Sequence, residues 1–265
     1  MALIQKIIRK RKQAGYTVIE VMIVLSVSAI LFATALAGYS YQNRKTEFTN
    51  AVRDMEVTIQ DILNDVSTGY YPNSSNFSCN RSGSPAAPSL DPAGTSEQGT
   101  NQDCIFLGKA VDVDDAFLRS YTIVGLRDSS ADDDTPPANV EEAESRTIPY
   151  AGTFDQHTLH ASIDITQVIT QSGVDSAGFA VVSGFGNGDE GGAGATTTQV
   201  SIASINPSYN FASATSRTVN NSNLNQDITI CIQETGGGRQ ASIRIGAGAQ
   251  TNIETMIDGW VPECD

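Results

Sequence analysis

An uncharged run from Val21 to Gly38, eighteen residues long, constrains this chain more than any other stretch, because one acid, Glu20, heads it and a basic block precedes it. At about 1.5 Å of rise per residue, a helix of this run crosses most of a bilayer's hydrocarbon core. Lys6, Arg9, Lys10, Arg11 and Lys12 lie before it with no acid among them. The positive-inside tendency therefore keeps this end in the cytoplasm, opposed only weakly by Arg44 and Lys45 on the far side, and everything beyond the span is expected outside. A carboxylate at the edge of lipid is costly: Glu20 needs a partner, a proton, a function or an escape to the water interface.

Beyond the apolar run the helical pattern continues. Phe48, Val52, Met55, Ile59, Ile62, Leu63 and Val66 form one stripe of a 3.6-residue helix, with Arg53, Glu56, Gln60 and Asp61 opposite. Thr68-Gly69 followed by Pro72 supplies a stop. A single helix from Tyr16 to Ser67 is predicted, roughly 78 Å long at that rise, and its stripe calls for a sheet to pack against.

Gly15 ends the basic block, Tyr16 opens the apolar segment, and Glu20 follows four residues later. On these residues the chain resembles the class III signal of type IV prepilins and type II secretion pseudopilins. The resemblance covers roughly residues 6 to 67. It implies cleavage after Gly15 by a membrane-embedded peptidase, methylation of the new N-terminus at Tyr16, and Glu20 as the assembly acid. Tyr16 stands where phenylalanine is more usual, and Ala37-Gly38 where many members carry proline. The implied partners are the prepilin peptidase, an inner-membrane platform protein, a cytoplasmic assembly ATPase and other pilin subunits. A physical reason for the acid stands beside this: in a dry filament core, Glu20 could neutralise the free amine of a neighbour's Tyr16, and either charge alone would cost several kcal/mol to bury.

The 265 residues carry 16 Lys and Arg against 30 Asp and Glu. Without the leader 11 basic residues face 30 acids, a side-chain charge of −19; beyond Ser67 eight face 24, or −16. A head so acidic should repel nucleic acid phosphates and anionic lipid. About 200 residues after the helix suffice for one domain with its own core. The four cysteines, Cys79, Cys104, Cys231 and Cys264, all fall in the portion expected outside, where an even number suggests disulfides. Of three possible pairings, the favoured one joins sequence neighbours, Cys79 with Cys104 and Cys231 with Cys264; each such loop is worth about 3–4 kcal/mol by chain entropy. Zinc is the rival, but no C-x-x-C occurs and His157 and His160 are far from every cysteine in sequence.

Pro, Ser, Asn and Gly dominate residues 70–102, which read as a long surface loop. CIFLGKAV from Cys104 and RSYTIVGL from Arg119 read as strands; Asp132 to Asp134 and Glu141, Glu142 and Glu144 flank Pro136-Pro137 in what reads as an exposed, mobile insertion. Later strands are predicted over 158–170, 179–184, 198–205, 226–233 and 239–246, with Gly236-Gly237-Gly238 turning the last hairpin. The fold class is α+β: a long N-terminal hydrophobic spine helix with a C-terminal globular head of largely antiparallel β-sheet. The terminal hairpin with Cys231 and Cys264 also looks like the C-terminal part of minor pilins and pseudopilins.

Other chemistry is thinly supported. Asp112, Asp114 and Asp115, and the glycine-rich run at 184–194, offer oxygen ligands for calcium but do not match an EF-hand loop. His157 and His160 fall three apart in an expected strand, on opposite faces, which argues against joint ligation. No Gly-x-Ser-x-Gly elbow or phosphate loop appears, so neither an enzyme nor a cofactor nor a metal site is expected. Some minor pilins resembling this chain bind DNA through arginines of the last hairpin, which here are Arg239 and Arg244.

The expected organisation is a cleaved leader at 1–15, a membrane and filament-core helix at 16–41, its amphipathic continuation at 42–67 and an extracytoplasmic head at 68–265. The chain reads as a structural subunit of a type IV pilus or pseudopilus, held single-pass in the cytoplasmic membrane before assembly and in an extracellular or envelope filament after it. A DNA-binding minor pilin and a surface protein that never polymerises are the alternatives.

Overall fold

The computed structural model describes residues 16–69, 78–82, 87–91, 103–128, 137–149, 154–183, 200–212, 216–246, 252–258 and 264. The leader, the glycine-rich run at 184–194 and Asp132 to Asp134 lie outside the described residues. Among those described, one long helix is followed by twelve strands. The result is an α+β, pilin-like architecture. The chain divides into two compact units, one ending at Thr46 and one beginning at Glu47.

Helix α1 runs uninterrupted over Val18–Thr68, through Gly38. Its last turn closes where Gly69, at φ 67°, donates its N–H to the Val66 carbonyl at 3.1 Å, a left-handed stop that glycine adopts without strain. In the second unit α1 buries Phe48, Ala51, Val52, Met55, Ile59, Ile62 and Val66. These are the stripe residues, with Ala51 added and Leu63 half-buried at its edge.

The head holds three antiparallel sheets. Strands β1 (Ser78–Ser82) and β2 (Ala87–Asp91) pair as a small hairpin inside the stretch expected to be structureless. Six strands form the main sheet: β3 (Cys104–Asp114), β4 (Phe117–Leu126), β5 (Arg146–Thr147), β6 (Phe154–Thr158), β8 (Gly178–Ser183) and β9 (Val200–Ile205). Its order is β5-β4-β3-β8-β9, with β6 also on β4. The third sheet, β12-β11-β10-β7, comprises β7 (Ile163–Thr170), β10 (Ile228–Glu234), β11 (Gln240–Gly246) and β12 (Asn252–Ile257).

The strand expected over 158–170 is in fact two pieces. β6 ends at Thr158 and β7 begins at Ile163, the break being a turn in which Ile163 N–H reaches the His160 carbonyl at 3.1 Å. Between β10 and β11, Gly236 at φ 65° turns the hairpin that pairs Gln233 with Gln240. Strands β3 and β8 approach so closely that a Cβ on Gly108 would lie 1.9 Å from the Val181 carbonyl oxygen, and one on Gly178 1.9 Å from that of Val111. Both glycines are therefore dictated by backbone contact.

One core forms where the α1 stripe meets the inward faces of both larger sheets, through Val111, Phe179, Val181 and Ile202 of one and Ile163, Ile230, Ile232 and Ile243 of the other. Burying each such side chain contributes about 1.5–3 kcal/mol. The far face of the six-stranded sheet is also buried, under Val140, Ala143, Phe211 and Val219 from connecting segments. The acidic stretch near Pro137 is accordingly no exposed insertion over its described part: Asn139 caps a short turn, Val140 and Ala143 are fully buried, and Glu144 is held by Arg146 and Arg217. Cys79 is bonded to Cys104 and Cys231 to Cys264, with Cα atoms 6.0 and 5.7 Å apart.

Candidate functional site: the head of the long helix

The site is built from the first turn of α1 and the apolar surface behind it. Thr17 donates its backbone N–H and its hydroxyl to Glu20 Oε2, both at 2.9 Å, and Glu20 returns its N–H to Thr17 Oγ1 at 3.3 Å. This is a reciprocal capping box, which satisfies donors that a helix start otherwise leaves unpaired. The negative carboxylate also faces the positive end of the helix dipole. Thr17-x-x-Glu20 was visible in the sequence as a cap pattern; the reading of Glu20 alone missed its partner.

Behind the cap the helix surface is apolar on every side. Val18, Ile19, Met22, Leu25, Ile30, Leu31 and Phe32 are all at least 63 % exposed, and Val21, Ile23, Val27 and Leu36 between 45 and 57 %. Ser26 and Thr34 turn their hydroxyls back onto the Ile23 and Leu31 carbonyls at 2.9 Å, so these two hydroxyls are satisfied within the segment. A continuous apolar surface of this kind is stable only in lipid or against other apolar helices. α1 is long and apolar enough to cross a membrane.

The remaining residues singled out in the sequence are dispersed. Tyr16 is exposed beside the cap, and Gly15 lies outside the described residues. Arg239 Nη1 is 2.9 Å from Glu234 and its Nε 3.8 Å from Asp258; Arg244 is 2.5 Å from Asp227. Each hairpin arginine is thus already met by carboxylate. His157 lies near the end of β6 and His160 past it, so the argument from opposite strand faces does not hold: both line one cavity beside α1. Among the described residues no three His, Cys, Asp or Glu side chains are grouped to hold a metal ion.

Asp112 lies 3.5 Å from Arg119. Burial pushes its carboxyl above the ordinary aspartate value, against the pull of Arg119 and helped by the charge of Asp114. Burial likewise raises the Tyr121 phenol, with Asp112 adding to the shift. A buried cation went unnoticed in CIFLGKAV: Lys109, 3 % exposed, reaches Asp65 of α1 at 2.7 Å and Asp155 of β6 at 3.7 Å. A lone lysine in an apolar strand was the signal available.

The fold and this helix define a pilin-like protein, an apolar spine leading into a disulfide-bonded β head. Residues 10–36 match the family model of the prokaryotic N-terminal methylation motif, which includes Gly15, Tyr16 and Glu20. The chain thus carries the class III prepilin signal at the head of its long apolar helix. No curated protein and no solved structure matches the chain.

Proposed function

We propose that this protein is a structural subunit of a type IV pilus or pseudopilus filament. The observation that carries the reading is the exposed apolar part of α1, headed by Glu20 inside the methylation motif. In this reading residues 1–15 are a leader cut after Gly15, and Tyr16 becomes the methylated N-terminus. Residues 16–41 cross the cytoplasmic membrane with the N-terminus inside, and residues 42–67 carry the helix into the head at 68–265. Assembly moves the apolar helix from lipid into a bundle of its own kind, exchanging one apolar surrounding for another. Glu20 then passes from its own Thr17 to the amine of a neighbouring Tyr16. Prepilin peptidase, an inner-membrane platform and other subunits are the partners. The carboxylates that hold Arg239 and Arg244, with the head's acidic balance, weigh against capture of nucleic acid.

The test is mass spectrometry of the envelope and of sheared surface filaments. A methylated Tyr16 N-terminus in the sheared fraction is the expected result. A chain that keeps its basic leader, or that is clipped beyond the apolar run, would overturn the reading.

A further inference from the structure

The cavity beside α1, about 290 Å³, is bounded on one side by Asp54 and Thr58 of the helix and on the other by Gln156, His157 and His160 at the end of β6. Asp61 lies two turns beyond Asp54 on the same helix face, with exposed Val57 between them. Neither Asp54 nor Asp61 has an ion-pair partner among the described residues, whereas Lys109 occupies the next acid along, Asp65. β6 is an edge strand, paired only with β4, and its residues from Asp155 to Thr158 are exposed. The groove therefore presents one carboxylate without an ion-pair partner among the described residues, Asp54, and is walled by a helix and an edge strand.

In a chain so acidic, one cation has the opposite need. Arg44 is exposed on α1, is the first basic residue after the leader, and has no acidic partner among the described residues. We propose that Arg44 of one copy docks in this groove of a second copy, its guanidinium on Asp54. The charges are complementary, a planar guanidinium forks onto a carboxylate, and His157 and His160 close the far wall. Cation and groove are different patches on the same chain, so the contact is heterologous: every copy offers both halves, and repetition builds an open array rather than a closed pair. The inference rests on the filament reading and adds a specific register contact to it.

The test uses full-length chain in the cell that makes it. Chains bearing Arg44→Cys and chains bearing Asp54→Cys are co-expressed and the membrane and sheared fractions oxidised. A covalent pair of copies is expected, at several times the yield of the control pair Arg44→Cys with Ser222→Cys, a position exposed elsewhere on the head. Arg44→Asp and Asp54→Arg are each expected to reduce sheared polymer about tenfold, and the two together in one chain to restore most of it. Crosslinking no greater than the control, or no restoration by the swap, overturns the proposal. That pattern is also the outcome if Arg44 instead meets anionic lipid headgroups. Retention of the leader before Tyr16 would sink the filament reading separately, since two copies in one membrane still report the crosslink.

Discussion

At the scale of single residues, Glu20 and Asp112 show two opposite uses of a carboxylate. Glu20 is placed where a helix start wants negative charge, bonded three ways to Thr17. Glu20→Val should leave peptidase cleavage at Gly15 largely intact, since the leader and its glycine are untouched, yet reduce incorporation into filaments severely. Normal incorporation, measured by immunoblot of sheared material, would remove the assembly role. Asp112 is instead a carboxylate that burial disfavours. Its folded form holds a proton more tightly than its unfolded form, so its contribution to stability falls as pH rises from the ordinary aspartate value of 3.8 through the raised folded value. Asp112→Asn should therefore melt a few degrees above the parent at about pH 7 and converge on it near about pH 3. A lower melting temperature at neutral pH would mean that Arg119 outweighs burial.

At the scale of elements, the long helix and the principal strands were legible and their joints were not. The stripe from Phe48 to Val66 names the buried face of α1, because a 3.6-residue period has one structural meaning over five turns. β6 and β7 were read as one strand because Leu159, Ala161, Ile163 and Ile165 alternate without a proline or glycine to break them. The interruption comes from elsewhere: β6 belongs to the sheet of β4 and β7 to the sheet of β10. The β1–β2 hairpin was likewise hidden, since its strands are short and polar and are stapled through Cys79 to β3. Glycines separate the two kinds of constraint. Gly108→Ala would drive a methyl into the Val181 backbone, which cannot yield, and should cost upwards of about 3 kcal/mol or prevent folding. Gly69→Ala meets nothing within 4 Å and should cost only about 1 kcal/mol for its left-handed φ, a contrast that thermal melts of the two variants check.

At the scale of the molecule, two disulfides close loops with sequence separations of 25 and 33 residues in a head whose largest core lies between α1 and two sheets. Replacing either pair by serines should lower stability by up to about 3–4 kcal/mol, and the Cys79–Cys104 pair should loosen the β1–β2 hairpin before the rest. Hydrogen exchange of the two variants would show it; equal protection of that hairpin with and without its disulfide would mean that Val124 and Ile148 hold it alone. By itself the sequence determined the apolar spine, the acid and glycine of its signal, the buried stripe and the α+β class, because each is a local pattern whose period or spacing carries its physics. Only the tertiary structure decided that Lys109 is buried between Asp65 and Asp155, that Glu144 gathers two arginines, and that both hairpin arginines are already paired. Those partners lie up to 73 residues apart, and which charges meet depends on how three sheets stack, information no local window contains.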